Sequence, residues 1–484
     1  MTIVRAIQFA SAALLVAAAL GCQEVSMARS QDTILAGTAV VDITPPVGYR
    51  MSGYFYERLS TGAANPLHAK AMVLRQGDQR LALVFCDLIG VPAEVSSQAR
   101  RQAAEKTGIP AANILVAGTH SHTGPLYFGA LRKHFHEQAM AKGGSDPQEQ
   151  VDYAADLTAR IVRAVAEADA TARPARLEAG AAQQTGLAFN RRYHMKDGTV
   201  RFNPGPLNPN IVRPAGPTDP QVGIVLVRDA GDARPAAAVV NFAMHLDTTG
   251  GTLYAADYPF YLEQALRETL GERFTLLFGT GTCGDINHVD ITKKERPKSD
   301  AIGRSLAATV QTAAADLKPV AAPAIAARSE VVRVPLQRYT PEQLAKARED
   351  IRKVGTRQLA FLAEVETCKI LSLEMRGGDT MPLEVQAFRL GKDVAIVGLP
   401  GEVFVELGLA IKRASPFPTT LVVELCGDDP AYIPTKKAFA EGSYETINSV
   451  IAPGGGELLV EAAARLLKTL AEPGGPAPPA PQAP

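Results

Sequence analysis

The segment GTHSHTGP, residues 118–125, sets His120 and His122 one residue apart after the apolar run NILVA, in a chain with only eight histidines. On an extended backbone residues i and i+2 point the same way, so both imidazoles could serve one centre. Such a pair can ligate a metal, move a proton or simply bond to loop backbone. Further along, His245 closes the run AVVNFAMH and Glu402 follows VAIVGLPG. Two histidines and a glutamate suit a hydrolytic zinc ion, which keeps its fourth position for water or substrate. His120, His245 and Glu402 are therefore the expected ligands. His122 is either a further ligand or a proton-moving neighbour.

In open α/β sheets, functional side chains gather just beyond the carboxyl ends of strands. Six strand-like runs end this way: Asp87 follows LALVFC, the histidine pair follows NILVAGT, and His245 ends its own run. Asp285, Asn287 and His288 follow FTLLFGTGTCG, Glu402 follows its strand, and Tyr432 follows TLVVELCGDDPA. Asp87 is expected to accept the free ring N–H of a ligating histidine. Asp247 and Asp257 are weaker candidates for the same work, and Asp42 in VVDITPP is expected to cap a turn.

The elements that position these residues alternate. Apolar strands interleave with helices expected near 94–107, 149–170, 258–270, 299–316, 403–413 and 457–470. Thr340-Pro341-Glu342-Gln343 opens another helix, with a capping threonine and Pro in the first turn. The pattern predicts an α/β domain with a mixed β-sheet core flanked by helices, a single large unit over residues 33–470. No internal repeat is visible, and residues 471–484 form a Pro/Gly/Ala-rich tail.

The 484 residues carry 50 basic and 50 acidic side chains, without the basic footprint that nucleic acid requires. The N-terminus, residues 1–28, has one Arg, a short apolar run and small residues, and reads as an export signal. Its AALGC also resembles a lipobox, which would lipidate Cys22 and attach the protein to a membrane. The expected location is periplasmic or extracellular. Cys86, Cys283, Cys368 and Cys426 show no CxxC spacing and are read as buried thiols rather than disulfides. The glycines of FGTGTCGD and APGGGE fit neither GxGxxG nor GxxxxGK[ST], so no nucleotide cofactor is expected.

GTAVVDITPP, FCDLIG, GTHSHTGP, FNRR, NFAMH, GDIN, LPGEVFVELG and AYIPTKKAFAEGSYE follow one another through residues 34–450. In order and content they resemble the DIT, ADL, THTHSGP, NRS, F-A-V-H, GDVSPN, LPAE and YVTT…YE segments of the neutral (non-lysosomal) ceramidase family. The resemblance implies a zinc amidohydrolase with His120, His245, Glu402 and Tyr432 as ligands. It also implies that His122, Arg191 and Tyr444 surround the scissile amide. Tyr432 and Tyr444 keep the family's twelve-residue separation. The HxH of the barrel amidohydrolases is a poorer fit, because eight regular βα units are not apparent.

Two departures from the family shape the functional expectation. Asn287 stands where GDVSPN has its serine, and an amide side chain cannot act as an acyl-accepting nucleophile. The family's C-terminal β-sandwich is not expected after Leu470. The sequence thus points to hydrolysis of an amide, in an N-acyl lipid or another small molecule, with attack by zinc-bound water. Asp285 or His122 would move protons, and Asn287 would donate a hydrogen bond. The alternatives are a metal hydrolase acting on an ester or other polar substrate, and a non-catalytic lipid- or sugar-binding lipoprotein. The sequence leaves the oligomeric state open.

Overall fold

The computed structural model describes residues 33–472 apart from 232, 322 and 323. The export signal, Cys22 and residues 473–484 of the tail lie outside the described residues. Eight strands form the larger sheet: Ile34–Asp42 (β1), His68–Gln76 (β2), Gln79–Cys86 (β3), Ile114–Gly118 (β4), Arg173–Gln183 (β5), Gln221–Asp229 (β6), Pro235–Phe242 (β7) and Thr275–Thr280 (β8). Their order is β8-β7-β6-β5-β1-β2-β3-β4, and Lys318–Pro319 adds a ninth strand against β5. A second sheet runs Ile325–Pro335 (β9), Thr380–Leu390 (β10), Val394–Gly398 (β11) and Thr419–Val423 (β12).

The helices are Ala93–Thr107 (α1), Gly129–Gly143 (α2), Tyr153–Ala170 (α3), Tyr258–Leu270 (α4), Ser299–Ala313 (α5), Pro341–Asp350 (α6), Phe361–Arg376 (α7), Val405–Ala414 (α8) and Gly455–Ala471 (α9), with shorter turns between them. Two of them, α2 and α7, were not legible in the sequence. Each buries polar side chains, such as His134 in α2 and Thr367 and Lys369 in α7, which blurs the apolar period. Thr340 and Gln343 form the reciprocal capping box at the start of α6.

The layers follow from alternation. In β3, Leu81, Leu83 and Phe85 face the second sheet, packing in one core with Phe388, Ile396 and Leu421. Ala82, Val84 and Cys86 face outward onto α1 and α3, against Ala99, Leu157 and Ile161. Both faces are covered, so the strand reads as a continuous apolar run. Helices α4 and α5 cover the other half of the large sheet, and α8 and α9 cover the second sheet. The result is helix, sheet, sheet, helix: a mixed β core flanked by helices, as the sequence implied.

One topology occurs three times. An antiparallel hairpin leads through a helix to a strand parallel with its predecessor in β2-β3-α1-β4, β6-β7-α4-β8 and β10-β11-α8-β12. The recurrence lies in the chain path, which apolar alternation specifies without any repeated residues. Bridges Ala117↔Cys426 and Gly281↔Val423 draw the carboxyl ends of β4, β8 and β12 together. Buried Asn241 ties them further, its Nδ2 donating to Gly279 O at 2.8 Å and Val422 O at 3.0 Å. The loops beyond these ends carry the candidate residues.

Candidate metal centre

His120, His122, His245 and Glu402 converge from three different strand ends. His120 Nε2 lies 3.0 Å from His245 Nε2 and 3.2 Å from His122 Nε2. Glu402 Oε2 stands 3.2 Å from the first and 3.4 Å from the second of the β4 and β7 histidines, His120 and His245. Backbone strain marks the same place: His120 has φ 76°, a left-handed conformation that side-chain-bearing residues rarely adopt outside functional sites. Gly284 allows the loop after β8 to press on this centre, since a Cβ there would meet Glu402 O at 2.4 Å.

The hydrogen bonding around the rings fixes what they offer. His120 Nδ1 faces Ile89 O at 3.0 Å, His122 Nδ1 faces Gly53 O at 3.1 Å, and His245 Nδ1 faces Cys283 O at 3.0 Å. A carbonyl can only accept, so each Nδ1 must carry a proton, and in its neutral form each ring turns an Nε2 lone pair inward. Among the described residues, buried Glu402 Oε2 makes no hydrogen bond of good geometry. Three imidazole nitrogens and a carboxylate oxygen therefore meet at one point, a donor set that a bound cation satisfies. The three histidines also stand as a group close enough to hold one metal ion.

Charge follows this geometry. Burial and the neighbouring Arg191 guanidinium hold His245 well below the ordinary histidine range. Burial lowers His122 to about 4. At His120 burial is outweighed by the Glu402 carboxylate, which raises the pKa to about 9. Burial opposes ionisation of Glu402 as well, yet His120 and His245 hold it ionised, well below the usual carboxylate range.

Arg191, Tyr432 and Tyr444 form the wall beside the histidine cluster. Arg191 Nη1 is 3.1 Å from His245 Nε2, while its other nitrogens donate to Glu445 Oε1 at 2.9 Å and Gly284 O at 2.7 Å. Its guanidinium lies 5.3 Å from the Tyr432 ring centre and 5.8 Å from that of Tyr444. Tyr432 and Tyr444 meet edge to face at 5.4 Å. Glu402 and Tyr432 are direct neighbours in a two-residue parallel ladder. Burial, with the Glu402 charge adding, pushes the Tyr432 phenol well above its usual range and raises Tyr444 to about 12.

Other expected residues do different work. Asp87 Oδ2 accepts the backbone N–H of His68 at 2.9 Å, and the three histidine Nδ1 atoms all go to carbonyls, so Asp87 orients no ligand. Its place at a strand end serves chain packing instead. Asp257 accepts from the backbone of Thr248, Thr249 and Tyr258, bracing a turn. Asp247 stands closer, 3.9 Å from His122 Nδ1, and accepts from Tyr54. Asp42 caps its turn through Thr44 N–H.

Asp285 and Asn287 are bound into the scaffold. Asp285 Oδ1 accepts from Val405 N at the start of α8 and Oδ2 from Asn190, while burial raises the acid to about 6. Asn287 Nδ2 donates to Asn203 and its Oδ1 accepts from Val289 N. Neither side chain hydrogen-bonds to a histidine of the cluster. His288 is buried rather than part of a solvated loop.

Two carboxylates central to the structure escaped the sequence reading. Glu445 is fully buried and joins Arg191 to Arg192, whose Nη1 donates to it at 2.8 Å. Glu424, also fully buried, closes β12: its Oε2 accepts Cys283 N–H and Val403 N–H, and its Oε1 accepts from the Cys283 thiol at 3.0 Å. Its position at a strand's carboxyl end was the available signal. The four described cysteines are free and buried.

Residues 34–247, which include the three histidines and Arg191, match the family described as neutral/alkaline non-lysosomal ceramidase, N-terminal. No curated protein matches by sequence. The fold is similar to the crystal structure of neutral ceramidase from Pseudomonas aeruginosa, with a TM-score of 0.68 at 19% identity, covering 93% of this chain and 76% of that one. A ceramidase complexed with C2 is similar at a TM-score of 0.67 and 17% identity, over 92% of this chain and 77% of its own. Residues 34–247 thus carry the N-terminal signature of the neutral/alkaline non-lysosomal ceramidase family, on a chain whose fold is similar to that of a neutral ceramidase over 93% of its length.

Proposed function

We propose that this protein is an exported zinc-dependent hydrolase that cleaves the amide bond of an N-acyl lipid. The observation that supports the reading is the convergence of three imidazole Nε2 atoms and the buried Glu402 Oε2. His120, His245 and Glu402 would hold the ion, with Tyr432 as the fourth ligand. When bound, zinc polarises a carbonyl and lowers the pKa of water to roughly 7.

The chain's own groups supply the rest. Arg191, its head 3.1 Å from His245 Nε2, is aimed where negative charge would collect on the amide oxygen. A donor in that role is worth about 100- to 1000-fold in rate. His122, lowered to about 4 by burial, is neutral at pH 7, so its Nε2 can take a proton from the attacking water and return it to the leaving amine. Tyr444, raised to about 12, keeps its proton and can donate a hydrogen bond. An acyl chain would find an aromatic run, with Tyr444 stacked at 5.5 Å on Phe361 and Phe361 meeting Phe55 at 5.9 Å. No serine nucleophile is required, because Asn287 spends its polar atoms on the loop.

The test is release of fatty acid from N-acyl lipids by the purified full chain, with and without chelator. Turnover that falls with the chelator and returns with zinc supports the reading. Ligand binding without turnover under any metal would leave a binding protein.

A further inference from the structure

Helix α7 flanks the centre. Phe361 at its start stacks on Tyr444, and Arg376 at its end lies 3.8 Å from Asp428 Oδ2. Between them, Phe361, Val365 and Lys369 recur at i, i+4 and i+8, along one side of the helix. Lys369 is only 5% exposed, yet among the described residues it has neither a hydrogen-bond nor an ion-pair partner. Its ammonium is not sealed in, since it is absent from the fully enclosed, unpartnered polar atoms. The carboxylate charges that act on it most are Asp429 and Glu402. The first already accepts Ala431 N–H, and the second faces His120 and His245.

An unpaired ammonium held largely out of water costs stability and brings the scaffold nothing in return. Burial lowers its pKa to about 8, which leaves it mostly protonated at neutral pH. Groups kept at such cost beside a reactive centre commonly serve a ligand. Arg191 is assigned to the amide oxygen and is held there by Glu445 and Gly284, so a further negative charge on the substrate needs a second cation. A single free ammonium balances a single negative charge, which fits a carboxylate better than a dianionic phosphate.

We propose that Lys369 recognises a carboxylate on the amine side of the scissile bond, so that the preferred substrate is an N-acyl amino acid rather than an uncharged amide. The inference rests on the N-acyl amide reading given above. In an N-acyl amino acid the carboxylate stands one carbon beyond the amide nitrogen, so its cation must sit beside the metal centre. The acyl chain would then run toward Phe361, about 12 Å away along α7.

The test pairs N-dodecanoylglycine with the uncharged N-dodecanoylethanolamine. Calorimetry on chelator-treated, metal-free full chain measures binding to wild type, Lys369→Met and Lys369→Arg, and hydrolysis by the zinc-loaded protein follows. Wild type is expected to bind the glycine conjugate about tenfold or more tightly, the worth of one charge-assisted hydrogen bond. Lys369→Met should erase the preference, Lys369→Arg should keep most of it, and Lys369→Met should melt higher because a buried charge is gone. Equal binding by wild type, a preference that survives Lys369→Met, or a lower melting temperature for that variant would overturn the proposal. Preferential binding without zinc-dependent cleavage would uphold recognition and sink the hydrolase reading. Equal cleavage of both amides would do the reverse.

Discussion

Glu402 and Tyr432 face each other in a two-residue parallel ladder, although thirty positions of sequence separate them. Glu402 N–H donates to Ala431 O at 2.9 Å and Phe404 N–H to Ile433 O at 3.1 Å, so the backbone ladder sets both residues side by side. Tyr432→Phe should therefore keep the fold and weaken the metal. We expect an affinity loss of at least the roughly 10- to 100-fold that follows removal of a ligand's supporting partner. Competition with a fluorescent zinc chelator would measure it, and an unchanged affinity would remove Tyr432 from the ligand set.

Glu445 joins Arg191 and Arg192 without reaching solvent. Removing a buried partner leaves uncompensated charge and typically costs about 3–5 kcal/mol. Glu445→Ala should lower stability by that amount in urea unfolding and release Arg191 from its position, lowering turnover further. A loss below about 1 kcal/mol, the range of an exposed pair, would show that the triad is dispensable.

Glu424 sets a pH dependence. Burial raises its pKa to about 8, above the 4.5 of an ordinary glutamate. Folding thus favours the protonated acid: the stabilisation is whole below about 4.5 and is lost as pH rises through about 8, on the order of a few kcal/mol. Glu424→Gln places its amide oxygen against the two backbone donors and its NH₂ against the Cys283 sulfur, so it should flatten that slope in metal-free protein. Unfolding free energies between pH 5 and 9 decide the matter, and parallel curves for both proteins would refute the assignment.

Asn287→Ser restores the family's residue type but not a free nucleophile. The substitution loses the bond to Asn203, at a cost of about 1 kcal/mol, and hydrolysis should not rise. A tenfold gain in turnover with accumulation of an acyl-enzyme, seen by mass spectrometry, would instead favour the serine route.

The fold and the heart of the centre were legible because both depend on local patterns. Apolar runs covered on both faces announced the strands, and the residues just after them supplied the cluster of candidate ligands. Asp87 misled for the same reason: it occupies a strand end, but only the fold shows that Ile89, Gly53 and Cys283 carbonyls orient the histidines. Glu445 was silent because its partners arrive from remote segments, and Glu424 offered only its place at a strand end. Lys369 was hidden with its helix, whose buried face mixes polar and apolar residues.

The most direct measurement is the metal content of the purified full chain beside that of His120→Ala. The account predicts about one zinc per chain in the wild type, with three to four protein ligands, and a nearly metal-free variant of unchanged fold. No tightly bound metal in the wild type, or equal content in both proteins, would contradict it.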